Sequence, residues 1–214
     1  MTGRRRTIAL GAALAALASA SSPAAAQNLG SYEGIIEVSG VQSGPAVQYK
    51  AKIRVIMPVS SRDRSSISAE FLAGEAPEGK IEISQWDESD TDKSPDSEGQ
   101  RNSYRCSLAA PVTLPVSVTG VLNVDTSAME HTWSLTVLSL SDMKLNCVHS
   151  RSGPFTKEIG VAITTGTGVP GDQWRNPIRI ASPSSISSQY VLDPTEYTQG
   201  QFGPINQKWQ FSLK

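Results

Sequence analysis

The sequence predicts an all-β fold, a single antiparallel β-sandwich or flattened β-barrel of about ten strands with one disulfide, after a cleaved signal peptide. Three observations lead to this prediction. Apolar and polar residues alternate along most of the chain, with almost no stretch of helical period. Turn residues separate the alternating segments at short intervals. The cysteines occur as one pair, and both fall on apolar faces of such segments.

The segment 1–26 has the composition of an export signal. Arginines at 4–6 precede a run of small apolar residues at 7–20. Three alanines that end at Ala26 then supply the small residues that a signal peptidase requires before its cleavage site. We therefore predict cleavage between Ala26 and Gln27, and an exported protein that works in the periplasm or outside the cell. The arginines fit either the general secretory route or the twin-arginine route.

The composition excludes two classes of partner. The apolar run at 7–20 is shorter than the roughly 20 residues of a membrane-spanning helix, so we expect no stable membrane insertion. The full chain has a formal net charge of −1, and removal of the signal arginines leaves the rest more acidic. An acidic protein lacks the attraction that nucleic-acid binding requires. The remaining partners are a small molecule, a glycan or a protein.

Residues 27–214 have a suitable length for one domain, and we expect them to form a single all-β domain. The clearest strand covers 47–57, where every second residue from Val47 to Met57 is apolar. The intervening residues include two lysines and an arginine, so one face of this strand is polar. This pattern specifies which face is buried.

Three stretches interrupt the alternation: an acidic loop at 87–98, and Gly/Pro-rich late loops at 166–185 and 193–207. Function on β scaffolds usually resides in such loops. Aromatic residues in or beside the late loops could stack on sugar rings or cover an apolar ligand. These predicted binding residues are Trp174, Tyr190, Tyr197 and Phe202.

The pair Cys106 and Cys147 predicts a disulfide, because an even number of cysteines in an exported protein is typical of one. Cys106 alternates in phase with apolar neighbours. We also expect a hairpin over 132–150 with a two-residue turn after Leu140, in which Leu138 and Leu140 share the face of Cys147. Both thiols would then point into the core.

Three short motifs match known patterns but lack their structural context. The G-x-G-x-x-G at 166–171 precedes no helical segment, and the S-x-x-K at 141–144 lies in a predicted turn. The acidic stretch 87–98 lacks the glycine of an EF-hand loop. We therefore predict no cofactor, no metal site and no catalytic residue.

The leading functional hypothesis is a non-enzymatic exported binding or envelope-structural module. One alternative is a secreted hydrolase with a loop-built active site. If its mechanism uses a histidine, that residue must be His131 or His149, the two histidines of the sequence. A second alternative is a small outer-membrane β-barrel, whose strands also alternate. The charged face of the strand at 47–57 argues against it.

Overall fold

The structure is a computed structural model that describes residues 29–42, 45–71, 79–91, 98–167, 177–192 and 203–214. The predicted signal segment 1–26, with its cleavage site between Ala26 and Gln27, lies outside the described residues. So do three of the predicted binding residues, Trp174, Tyr197 and Phe202.

The regular structure of these residues consists of strands. In chain order the strands are β1 (Ser31–Gln42), β2 (Ala46–Pro58), β3 (Ser61–Arg62), β4 (Ser66–Phe71), β5 (Gly79–Thr91), β6 (Ser103–Ser107), β7 (Val112–Asp125), β8 (Glu130–Ser139), β9 (Met143–His149), β10 (Gly153–Ile159), β11 (Ala162–Gly166), β12 (Ile178–Arg179), β13 (Ser185–Leu192) and β14 (Ile205–Leu213). Within the described part of the chain, no helix has the length and apolar character needed to cross a membrane.

All these strands belong to one open antiparallel sheet, which confirms the predicted all-β fold. The main path through the sheet is β10-β9-β6-β5-β2-β1-β14-β13. The sheet forks at β5, whose first half pairs with β7 and whose second half pairs with β6. Beyond β7 the second branch continues to β8, which pairs with β11 and β12, while β4 pairs with the far half of β7.

The sheet folds over on itself, so that β8 faces β14 although the two strands are not neighbours in it. Trp209 of β14 packs edge-on against Trp133 of β8, with ring centroids 5.1 Å apart. The first layer therefore holds β13, β14, β1, β2 and β5, and the second layer holds β4, β7, β8 and β11. Their inner faces form one core of buried apolar side chains.

The strand predicted at 47–57 is β2, and its register is the predicted one. Val47, Ile53 and Met57 are buried, whereas Gln48, Lys50 and Arg54 are exposed. Because side chains alternate between the two faces of a strand, the apolar set fixes which face meets the core.

The predicted disulfide between Cys106 and Cys147 is present and buried. The two residues are 41 positions apart in sequence but directly opposite each other on β6 and β9, with Cα atoms 4.0 Å apart. A buried disulfide is typical of proteins that work in an oxidising environment.

The predicted hairpin over 132–150 is wrong. β8 pairs with β7, and β9 pairs with β6 and β10, so the two strands belong to different branches of the sheet. Leu138 is 45% exposed and Leu140 67% exposed, because the inward set of β8 is the alternate one that contains Trp133. The prediction for Cys147 was nevertheless correct, since β9 buries Met143, Leu145 and Cys147.

The predicted loops are shorter than expected. β5 continues through Thr91, so the first residues of the acidic stretch 87–98 form a strand that pairs with β6. β12 lies inside the predicted late loop 166–185, and β14 begins inside 193–207, at Ile205. Polar segments adopt strand structure here because a neighbouring strand supplies their backbone hydrogen bonds.

Candidate functional site

The outer face of the first layer carries four surface cavities, of about 410, 420, 520 and 680 Å³, and the cavity of about 680 Å³ extends onto β6 and β9. These cavities lie along β1 and β2 and the strands beside them, and we call the surface that carries them the polar trough. Its length from Glu33 to Val41 along β1 is about 27 Å at the rise of an extended strand. Its central part is lined by Glu37, Lys50, Lys52, Glu82, Gln189 and Lys208.

A row of alternating charges crosses the middle of the trough. Lys208 lies opposite Glu37, Glu37 lies opposite Lys52, and Lys52 lies opposite Glu82, on the successive strands β14, β1, β2 and β5. The Lys52 Nζ and Glu37 Oε1 atoms are 3.4 Å apart. Opposite charges on directly facing residues stabilise a sheet, so this row is a regular feature of the strand pairing.

The rows on either side contain cations and no carboxylate, with Lys50 in one row and Arg54 and Lys80 in the other. Arg54 of β2 lies directly opposite Lys80 of β5, and both line the cavity of about 420 Å³. Like charges in this position destabilise the pairing. Within the described residues Lys50, Arg54, Lys80 and Lys208 have no carboxylate at ion-pair distance.

Hydroxyl and amide groups supply most of the remaining polar surface of the trough. These residues include Ser39, Ser84, Ser187, Gln189, Asn206 and Gln210. The aromatic residues of the same strands point to the opposite side, into or against the core, and they are Tyr32, Tyr49, Trp86, Trp209 and Phe211. The trough therefore offers charge and hydrogen-bonding groups rather than an aromatic platform.

A second polar cluster lies on the inner side of the branch formed by β6, β9 and β10. The carboxylate of Glu88 is 4% exposed and accepts hydrogen bonds from the Tyr104 hydroxyl at 2.7 Å and the Lys157 ammonium at 2.5 Å. The Lys157 Nζ atom also lies 5.2 Å from the centre of the Tyr104 ring. Glu88 is thus a buried anion with two donors.

The pKa shifts in this cluster keep each group in its usual protonation state. Burial alone would raise the pKa of Glu88, but the hydrogen bonds from Lys157 and Tyr104 and the charge of Lys157 outweigh it and lower that pKa. Burial acts to lower the pKa of Lys157, but Glu88 raises it. Lys157 therefore stays an ammonium ion, which cannot act as a nucleophile.

Both histidines have structural hydrogen-bond partners. His131 is buried between the layers, where its Nδ1 is 3.0 Å from the Ile178 carbonyl oxygen and its Nε2 accepts from Trp209 Nε1 at 3.0 Å. The Nδ1 atom of His149 accepts hydrogen bonds from the backbone N–H groups of Arg151 and Ser152. These bonds close the turn after β9. Neither arrangement contains the carboxylate and hydroxyl partners of a catalytic triad.

The side chain of Gln207 joins the two layers. Its Oε1 accepts hydrogen bonds from the Thr165 hydroxyl and, at 3.0 Å, from the Gly166 N–H, while its Nε2 donates to the Gly166 carbonyl at 2.9 Å. A Cβ at Gly166 would lie 2.4 Å from the Trp133 carbonyl oxygen, so only glycine fits there. Gly166, the first glycine of the G-x-G-x-x-G motif, therefore allows the close approach of β11 to the backbone of Trp133 on β8.

Of the predicted binding residues, Tyr190 is described. It lies on β13 opposite Gln207, half-buried, and packs against the core rather than facing the trough. Its role in binding stays a prediction. Within the described residues, no group of three or more His, Cys, Asp or Glu side chains could hold a metal ion.

Sequence patterns alone do not indicate the trough or the Glu88 cluster. Glu88 lies in the stretch 87–98 that is predicted to be a loop, although it follows Trp86 by two residues and so continues the inward alternation of β5. For the trough, the polar face of β2 was recognised, but the strands beside it come from distant parts of the sequence. Comparison with family models, characterised proteins and solved structures gives no significant match for this chain.

Proposed function

We propose that this protein is a non-enzymatic exported binding module whose ligand or partner occupies the polar trough. The observation that carries the proposal is the concentration of cavities on one polar face, with cations there that lack partners among the described residues. Sheets in β-sandwiches commonly bury one face and leave the other free, and here the free face is charged and carries the four cavities.

The proposal of an exported protein draws on the signal-like segment 1–26 and on the buried Cys106–Cys147 disulfide. The proposal of a non-enzymatic role draws on the titratable groups. His131, His149 and the Glu88 cluster are each held by structural partners, which leaves none of them free to act as a general base.

A bulky substitution in the trough tests this proposal. Asn206 is exposed on β14 and lines the cavity of about 410 Å³, so Asn206→Trp would place a bulky ring in it. Asn123→Trp is the matched control, since Asn123 is an exposed asparagine on β7 in the second layer. We expect an insoluble envelope preparation of the producing cells to retain the wild-type protein and Asn123→Trp, and to release Asn206→Trp.

Equal melting temperatures would show that both variants fold. Equal retention of the two variants would contradict the proposal. Hydrolysis of an envelope substrate that is lost in His149→Ala or His131→Ala, without unfolding, would favour the secreted hydrolase instead.

A further inference from the structure

The charge balance of the trough differs from that of the whole chain. The full sequence has a net charge of −1. On the trough, basic residues outnumber acidic ones: its four cavities are lined by Lys50, Lys52, Arg54, Lys80, Arg105, Lys208 and Lys214, and by Glu33, Glu37, Glu82, Asp87 and Glu88. From this excess, from the adjacent cations Arg54 and Lys80, and from the hydroxyl and amide groups of the trough, we propose that the polar trough binds an acidic polysaccharide, a linear chain of sugars with carboxylates. The inference rests on the proposed function.

Two cations lie side by side without compensation. Arg54 and Lys80 are directly opposite on β2 and β5, and no carboxylate of the described residues is within ion-pair distance of either. Their repulsion opposes the pairing of the two strands. A carboxylate bound between them would remove this repulsion and accept charge-assisted hydrogen bonds from both.

The polar floor favours sugars over peptides. The four central strands of the trough are each paired on both sides, so its floor offers no free strand edge to an extended peptide, and β13 at its side is the end strand of the sheet path. Its hydroxyl and amide side chains, such as Ser39, Asn206 and Gln189, match the hydroxyl groups of sugars instead. Because the aromatic rings of these strands point toward the core, the described part of the trough offers no ring for stacking, and its cations favour a sugar that carries carboxylates.

The test uses oligogalacturonate as the probe and its fully methyl-esterified form as the uncharged control. Two double variants remove trough cations, Arg54→Gln/Lys80→Gln and Lys50→Gln/Lys208→Gln. A third, Arg64→Gln/Arg179→Gln, removes two exposed cations that lie away from the trough. Calorimetric titration of the purified protein at low ionic strength measures each Kd.

We expect the wild-type protein and Arg64→Gln/Arg179→Gln to bind oligogalacturonate, and each trough variant to bind at least about tenfold more weakly. Added salt should weaken binding, because screening reduces the attraction between exposed charges. Arg54→Gln/Lys80→Gln should melt no lower than the wild type, since the substitution removes a repulsion, and this measurement separates lost binding from lost folding.

Four results would overturn the inference. Equal affinity for the methyl ester would exclude recognition of charge. Tighter binding of poly-glutamate than of oligogalacturonate would favour an acidic peptide. Absence of oligogalacturonate binding, while Asn206→Trp still abolishes envelope retention, would refute the polysaccharide and leave the proposed function intact. Unaltered retention of Asn206→Trp would refute both.

Discussion

The imidazole of His131 has one protonation state that fits its surroundings. The indole N–H of Trp209 donates to Nε2, so the ring proton lies on Nδ1 and is donated to the Ile178 carbonyl oxygen. A second ring proton would point at the indole N–H and would bury a charge. Burial accordingly lowers the pKa of His131, although the bond to Ile178 acts in the opposite direction.

We predict that His131 makes the free energy of unfolding depend on pH. In the unfolded chain its pKa is about 6.5, and in the folded protein it is lower, so the unfolded state binds the proton more readily. The contribution of the neutral imidazole is therefore complete above about pH 6.5 and is lost as the pH falls toward the folded-state pKa. Urea unfolding at a series of pH values measures this slope.

The variant His131→Gln provides the comparison. A glutamine amide can accept from Trp209 and donate to Ile178 but does not titrate. We expect a smaller dependence of the unfolding free energy on pH in the window below about pH 6.5. A variant with the same slope as the wild type would show that another group is responsible.

Among the elements, β10 is held to β5 by the ion pair of Lys157 with Glu88, across two intervening strands. We predict that Lys157→Met leaves the buried carboxylate without its counter-charge and lowers the free energy of unfolding by about 2 kcal/mol. This figure is smaller than for a fully buried pair because Lys157 is partly in water. Chemical denaturation at neutral pH measures it.

Lys144→Met is the matched control on the neighbouring strand β9. Lys144 pairs with Glu158 at 3.2 Å, but both side chains are mostly exposed. Its removal should change the unfolding free energy by less than about 1 kcal/mol. If both variants lost the same free energy of unfolding, the burial of Glu88 would not determine the strength of the Lys157–Glu88 ion pair.

The element β2 could be predicted from the sequence because its alternation has a single phase. In β8 and the residue after it two phases overlap, since Trp133, Leu135 and Val137 alternate in one register while Leu138 and Leu140 alternate in the other. The register that buries the tryptophan removes the larger apolar area from water, and it is the one observed. Alternation alone did not reveal this, because both sets satisfy the same pattern.

The trough could be predicted only in part. The charged face of β2 follows from local sequence, but Lys208 reaches it through the pairing of β1 with β14, from opposite ends of the described chain. Lys80 reaches it through the pairing of β2 with β5. Such pairings depend on the whole fold, and single-sequence patterns contain little information about them.

For the whole molecule, the seam between the layers depends on Gln207. Its side-chain amide makes hydrogen bonds with both the backbone N–H and the carbonyl oxygen of Gly166, as a neighbouring strand would. We predict that Gln207→Leu leaves both backbone groups of Gly166 unpaired in the core and lowers the free energy of unfolding by about 3 kcal/mol. Urea denaturation provides the measurement.

Gln210→Leu is the control for this prediction, because Gln210 lies on the same strand with its side chain exposed. Its unfolding free energy should stay within about 0.5 kcal/mol of the wild-type value. A stable Gln207→Leu variant would show that the aromatic packing of Trp133 and Trp209 closes the seam without the amide.

The disulfide has a further consequence at this scale. Between Cys106 and Cys147 the chain leaves β6, forms β7 and β8 in the second layer, and returns to β9 beside its starting point. The bond thus turns this stretch into a covalent ring that contains the exposed turn at 126–129. A protease that cuts the turn opens the ring but releases no fragment, so the two parts of a nicked molecule stay covalently joined as long as the disulfide is oxidised.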